Sequence, residues 1–149
     1  QSPDSDRVST HLTQPPFTFV LDTFESGTLK AVGYLDGEAV VETERITPGD
    51  ARAVQLSIDT SGRDPESGQN DVLFVYASII DQNGTVVPDA ESEVFFEVEG
   101  DAELIGYNPI KAEAGIATIL LKLGESEREI TLRAFSDGLG SDEYQVVVN

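Results

Sequence analysis

The side chains able to do chemistry in this sequence are almost all carboxylates. Asp and Glu number 28 against 9 Lys and Arg, with a single His and no Cys. A close pair of carboxylates can do acid–base work, but no Glu here sits in a recognisable catalytic setting, and scattered acids read as a solvated surface. A hydroxyl nucleophile needs a neighbouring base. The one His, His11, lies in an unpatterned N-terminal stretch and reads as a surface residue. The missing Cys excludes disulfides and thiolate metal sites. Hard oxygen donors do recur in Asp81-Gln82-Asn83-Gly84 and Asp89-Ala90-Glu91, which makes Asp81, Asn83 and Asp89 the candidates for a calcium ion. Their spacing is not that of a calcium loop, and Asp-x-Asn-Gly is also what a tight turn with positive φ requires. The turn reading is preferred, so neither metal nor cofactor is expected. Sugar binding by a β-sandwich needs an exposed ring on which the apolar face of a pyranose can stack. Trp is absent, and Tyr34, Tyr76 and Tyr144 fall within strand patterns, where a core or half-buried role is expected. Tyr107, beside Asn108 in a loop, is the pair left as a candidate glycan contact.

The elements that must carry these residues are strands. Apolar positions repeat with period two nearly everywhere, punctuated by Gly, Pro, Asn and Asp at strand-length intervals, which excludes long amphipathic helices. Phe17–Leu21, Leu29–Leu35 and Ala39–Ile46 read as three strands, with Asp36-Gly37 as a two-residue hairpin turn between the last two. Thr47-Pro48-Gly49-Asp50 then breaks the ladder and marks a domain boundary. Beyond it, strands are expected at 54–59, 71–80, 86–90, 94–98, 103–106, 116–123, 130–136 and 144–148, with Pro88 suited to an edge. The run from Val72 to Ile80 is apolar on both faces, which marks a central strand or one with a second packing surface. About seven short strands in about 100 residues is the pattern of an immunoglobulin-like sandwich. The fold expected is therefore all-β: residues 1–50 form a short three-stranded remnant of a preceding immunoglobulin-like domain plus linker, and residues 51–149 form a complete sandwich. Three strands in so short a stretch cannot bury enough surface to stand alone.

The net charge of −19 repels phosphate backbones and anionic lipid, which excludes nucleic acid as a partner. The longest apolar stretch is far short of the ~20 residues of a membrane span, so no membrane insertion is expected. The chain holds no Met and opens on Gln1-Ser2-Pro3, so it reads as a segment excised or processed from something larger.

Several stretches carry a resemblance. Phe24-Glu25-Ser26-Gly27-Thr28-Leu29-Lys30-Ala31-Val32-Gly33-Tyr34, followed by Asp36-Gly37, is similar to the closing strands of the immunoglobulin-like domain that follows the catalytic barrel in β-galactosidase-like members of glycoside hydrolase family 2. Asp71-Val72-Leu73-Phe74-Val75, Val87-Pro88-Asp89-Ala90, Phe96-Glu97-Val98-Glu99-Gly100 and Glu103-Leu104-Ile105-Gly106 resemble that family's most C-terminal domain, in the same order. The likeness covers roughly residues 17–136. It departs after Gly106, where a longer Asn- and Gly-rich loop is expected and only Tyr107-Asn108-Pro109-Ile110-Lys111 stands.

The resemblance implies a non-catalytic accessory domain of a glycosidase, the catalytic glutamate pair residing on a barrel elsewhere in the polypeptide. It also implies an extracytoplasmic setting and, as partners, other domains of the same polypeptide. Two alternatives stand beside it: a carbohydrate-binding module acting on polysaccharide, and an immunoglobulin-like repeat of a bacterial cell-surface adhesin.

Overall fold

A computed structural model describes residues 16–69, 71–126 and 129–148; His11 lies outside them. The chain divides into two compact units, Gln1–Thr47 and Pro48–Asn149.

The first unit contains one antiparallel pair, β1 (Thr28–Leu35) and β2 (Glu38–Ile46). Asp36 and Gly37 connect them with φ of 52° and 86°. Two positive φ values in a two-residue loop twist the backbone in the sense that flanking strands need, and Asp-Gly meets that requirement at little steric cost. At the open end Thr47 N–H donates to the Gly27 carbonyl at 2.9 Å, and Gly27 N–H donates to Thr47 Oγ1 at 3.1 Å. The register slips once, between Gly33 and Tyr34. The strand expected at Phe17–Leu21 is not formed among the described residues. An alternating apolar repeat becomes a strand only where a neighbour takes its backbone groups, and the pair β1–β2 offers these residues no ladder.

The second unit is an all-β sandwich with the immunoglobulin-like arrangement. Its strands are β3 (Ala53–Asp59), β4 (Val72–Ile80), β5 (Glu93–Glu99), β6 (Ala102–Ile105), β7 (Ile110–Lys111), β8 (Ile116–Leu123), β9 (Glu129–Phe135) and β10 (Asp142–Val147). One sheet has the order β3-β4-β8-β6 and the other β10-β9-β5-β7. Every ladder is antiparallel. Two departures from the expected strands stand out. Residues 86–90 make one bridge, Val86 to Ile80, and then turn, because Pro88 cannot donate and Ala90 N–H bonds back to the Val87 carbonyl. On its other edge from β9, β5 pairs with the two-residue β7, too short for any periodicity to reveal.

Alternation sets the core. Leu73, Val75, Ala77 and Ile79 of β4 and Ala117, Ile119, Leu121 and Leu123 of β8 point inward, facing Val94 and Phe96 of β5 and Ile130, Leu132 and Ala134 of β9. The open edges of the two sheets meet at β3 and β10. Gly140 N–H donates to the Arg52 carbonyl, Val54 N–H to the Gly140 carbonyl, and Leu56 N–H to Asp142 Oδ2 at 2.8 Å. Donors on β3 that would otherwise template aggregation are thereby occupied. Gly115 is required by geometry: its φ is 77°, and a Cβ there would collide with the Val87 carbonyl.

Candidate functional site

The first candidate group is the turn after β4. Asp81 is buried, with 2% of its surface exposed, and its carboxylate is the centre of the turn. Oδ1 accepts from Asn83 N–H and Thr85 N–H, both at 2.8 Å, while Oδ2 accepts from Gly49 N–H at 2.9 Å. Asp81 N–H donates to the Thr85 carbonyl and Gly84 N–H to the Asp81 carbonyl. The bonds from Gly49 and Thr85 hold the carboxyl below its usual value against the opposing effect of burial, with weaker help from Asn83. Gly84, with φ of 77°, completes the reversal. This carboxylate is ringed by backbone donors, whose partial positive charge suits an anion and disfavours a cation at the same oxygens. Among the described residues no three His, Cys, Asp or Glu come together in a metal-binding group. Asp89 stands in the next turn, separate in role from Asp81.

Other acids are used in the same way. The Asp101 carboxylate accepts from Glu125 N–H at 3.0 Å and Ser126 N–H at 2.9 Å, and Asp59 Oδ1 accepts from Ser61 N–H at 2.7 Å. Part of the acidity of this chain is therefore structural: short carboxylates satisfy turn and edge donors that the ladders leave open. Nothing in the spacing of Asp101 signalled this, because its partners lie more than twenty residues away.

The second candidate group is the loop between β6 and β7. Tyr107 is 92% exposed, but its neighbour Asn108 faces the protein. Asn108 Oδ1 accepts from Phe96 N–H at 3.0 Å and Asn108 Nδ2 donates to the Phe96 carbonyl at 2.7 Å. One primary amide thus meets both backbone groups of a single β5 residue, as a paired strand would. The two candidates for glycan contact consequently have different surroundings. Tyr107 presents its ring to solvent from a loop that Asn108 fastens to β5.

A third feature was only half signalled. The outer face of the sheet β3-β4-β8-β6 is apolar in its middle, where the ladder register aligns Asp59, Phe74, Leu120 and Ile105 across all four strands. Phe74 is 50% exposed and Ile105 41%. The rings of Phe74 and Tyr76 lie nearly parallel, at 9°, with centroids 6.2 Å apart. Two-sided apolarity in the run Val72–Ile80 marked a central strand or a second packing surface; β4 is central in its sheet, and its outward residues are these. The outer face of the opposite sheet is built differently. There Phe95 and Phe135 stack at 5.3 Å, Arg133 lies over the Phe135 ring at 5.4 Å, and Arg133 approaches Glu97 at 3.5 Å. That aromatic pair has charged side chains over and beside it.

The model of the family described as glycoside hydrolase family 2 C-terminal domain 5 matches residues 56–145, from within β3 to within β10. A β-galactosidase of Thermoanaerobacter pseudethanolicus is 31% identical over 134 residues, which is 84% of this chain and 18% of that protein. The β-galactosidase BoGH2A of Bacteroides ovatus is 32% identical over 93 residues, 60% of this chain and 11% of its own length. Among solved structures, a β-glycosidase from Bacteroides vulgatus superimposes with a TM-score of 0.76 at 21% identity, over 92% of this chain and 20% of that one. A glycosyl hydrolase family 2 member from Bacteroides cellulosilyticus gives 0.75 at 24% identity, over 85% of this chain and 18% of its own. The chain thus spans a fifth or less of each of these proteins.

Proposed function

The chain belongs to the glycoside hydrolase family 2 C-terminal domain 5 family, and from that premise we propose that it serves as a non-catalytic accessory domain of a family 2 glycosidase, with β-galactoside hydrolysis as the parent activity. The observation that carries this reading is the agreement of the family match, residues 56–145, with the strands of the sandwich. The similarity to two proteins named β-galactosidase supports the choice of substrate. A protein named as a putative β-glucuronidase is also 32% identical over 90 residues, so galactoside and glucuronide are the two substrates to separate.

We read residues 16–47 as the trailing strands of a preceding immunoglobulin-like domain. A two-stranded sheet with exposed apolar side chains on both strands, among them Leu29, Leu35, Val40 and Val41, is marginal by itself and calls for further strands. In the accessory role the sandwich contributes a surface and a fixed position, while the reacting carboxylates of a retaining or inverting hydrolysis are supplied by the rest of the polypeptide.

The test is to assay the 149-residue chain and the natural full-length polypeptide on aryl β-galactosides and aryl β-glucuronides. The expected result is turnover of the galactoside by the full-length protein and none by the chain alone. Turnover by the chain alone overturns the accessory reading, and glucuronide turnover by the full-length protein moves the substrate assignment.

A further inference from the structure

We infer that the outer face of the sheet β3-β4-β8-β6, centred on Phe74, is where this domain docks onto another domain of the same polypeptide. The inference rests on the accessory-domain reading above and adds to it the surface that makes the contact.

The two outer faces of the sandwich carry different chemistry. On the sheet β10-β9-β5-β7 the outward positions include Glu93, Glu97, Glu99, Arg133 and Glu143, and the aromatic pair lies under Arg133. On the sheet β3-β4-β8-β6 the outward positions of the central strands include Val72, Phe74, Tyr76 and Leu120, and Ile105 extends the row onto β6. The chain has 28 acids, yet on this face they stand aside from the middle, with Asp59 at the β3 edge and Glu103 opposite Lys122 at the β6 edge. An apolar centre rimmed by charges of both signs is the anatomy of a protein interface.

Size decides the kind of occupant. The exposed parts of Val72, Phe74, Tyr76, Leu120 and Ile105 together amount to on the order of 300 Å². A contact centred on them buries on the order of 600 Å² counting both sides, at the lower end of the roughly 600–1,500 Å² of contacts between domains of one chain. It falls short of the ~1,600 Å² typical of partners that must find each other in solution. A tethered neighbour needs less area, since the linker supplies a high effective concentration. In the relatives and solved structures four-fifths or more of the polypeptide lies outside the matching segment, which is the source of such a neighbour. A free second copy lacks the tether, and a glycan platform has little use for the aliphatic row of Leu120 and Ile105.

The experiment is hydroxyl-radical footprinting of Phe74 and Tyr76 in the natural full-length polypeptide and in the 149-residue chain at equal low concentration, with intact mass measured for the former. The expected result is a several-fold loss of labelling at Phe74 and Tyr76 in the full-length protein. Phe74→Asp should restore the labelling of Tyr76 and enlarge the full-length protein's radius of gyration, while the 149-residue chain keeps its melting midpoint. Where Phe74→Asp impairs folding of the short chain, Ile105→Ser, at a more peripheral position, provides the same readout. Labelling that is unchanged in a long polypeptide overturns the inference and leaves the accessory reading in place. Protection that grows with protein concentration assigns the face to a second copy, and protection that appears only with added galactan assigns it to a glycan; either result overturns the inference. A natural polypeptide no longer than these 149 residues removes the accessory reading and this inference together.

Discussion

The hairpin β1–β2 and the sandwich that follows it are written in the same alternating code, yet their side chains meet opposite fates. In β8 every second residue from Ala117 to Leu123 is buried and the intervening ones look outward. In β2, Ala39, Val40 and Val41 form an apolar run flanked by Glu38 and Glu42, and all of its residues are exposed. Period-two patterning reports that a segment can be a strand with a distinct face. Whether that face is covered depends on how many strands the unit contains. Eight strands among the described residues close a core, whereas two leave Leu35 65% exposed.

The largest effect that separates the two regions is expected from matched Leu→Ala changes. Leu121 is fully buried between the sheets, and its truncation leaves a cavity as well as losing transfer energy, about 2–5 kcal/mol. Leu35→Ala removes an exposed side chain next to the hairpin turn, and the same urea transition of the 149-residue chain should move by less than ~0.5 kcal/mol. An equal shift for Leu35→Ala would break the comparison, because it would mean that the hairpin belongs to the cooperative unit.

Below that comes Asp81→Ala. The change removes the acceptor for Gly49, Asn83 and Thr85 N–H at once, and buried donors left without a partner are costly. It should lower the thermal midpoint clearly more than Asp89→Ala in the neighbouring turn. The pH dependence has a defined direction. The Asp81 carboxyl is held below its ordinary value in the folded chain, so the stability it contributes is complete above the unfolded-state value near ~4 and is lost as pH falls through the lower folded-state value. Acid unfolding of Asp81→Asn should be less steep over that window. The corresponding cap on the hairpin uses a hydroxyl, Thr47 Oγ1, which does not titrate there, so Thr47→Val should leave the acid limb unchanged.

These residues also show what could be read from the sequence. Seven of the eight sandwich strands, the Asp36-Gly37 reversal and the turn at Asp81 were legible because each depends on a few adjacent residues. The outward apolar residues of β4 were legible too, since alternation fails visibly where Phe74 and Tyr76 stand between Leu73, Val75 and Ala77. Phe17–Leu21 misled because ladder pairing requires a partner strand, which no local pattern supplies. The roles of Asp101, Asp142 and Asn108 were invisible for the same reason. Asn108 meets Phe96 across 12 positions and Asp142 meets Leu56 across 86. The sequence around Asn108 carries no sign that the fold brings Phe96 within reach of its amide.

Asn108 sharpens the comparison at intermediate size. Asn108→Ala removes the mimic of strand pairing and leaves the Phe96 N–H and carbonyl without it, a loss of about 1–2 kcal/mol. Tyr107→Ala, one residue earlier and almost wholly in solvent, should leave the urea transition of the sandwich in place. Equal losses for the two variants would mean that the loop as a whole, rather than the Asn108 amide, supports β5.

The smallest effects should arise where the two regions are alike. Each has a solvent-exposed ion pair, Lys30 with Glu42 at 2.9 Å in the hairpin and Lys111 with Glu91 at 2.6 Å in the sandwich. Water screens both pairs, and holding two long side chains in one geometry costs entropy that offsets most of the attraction. The hydrogen bond with Lys111 lowers the Glu91 carboxyl and raises the Lys111 ammonium in basicity, yet both ends face solvent, so the shifts should have little thermodynamic weight. Lys30→Ala and Lys111→Ala are therefore expected to move the unfolding midpoint barely, and by amounts that converge on zero as salt approaches ~1 M, where the screening length is only ~3 Å. A loss for Lys111→Ala that persists at high salt would show that the pair also holds the two-residue strand β7 against β5, through the Glu93–Lys111 register. The difference between the regions would then extend from the core to the surface.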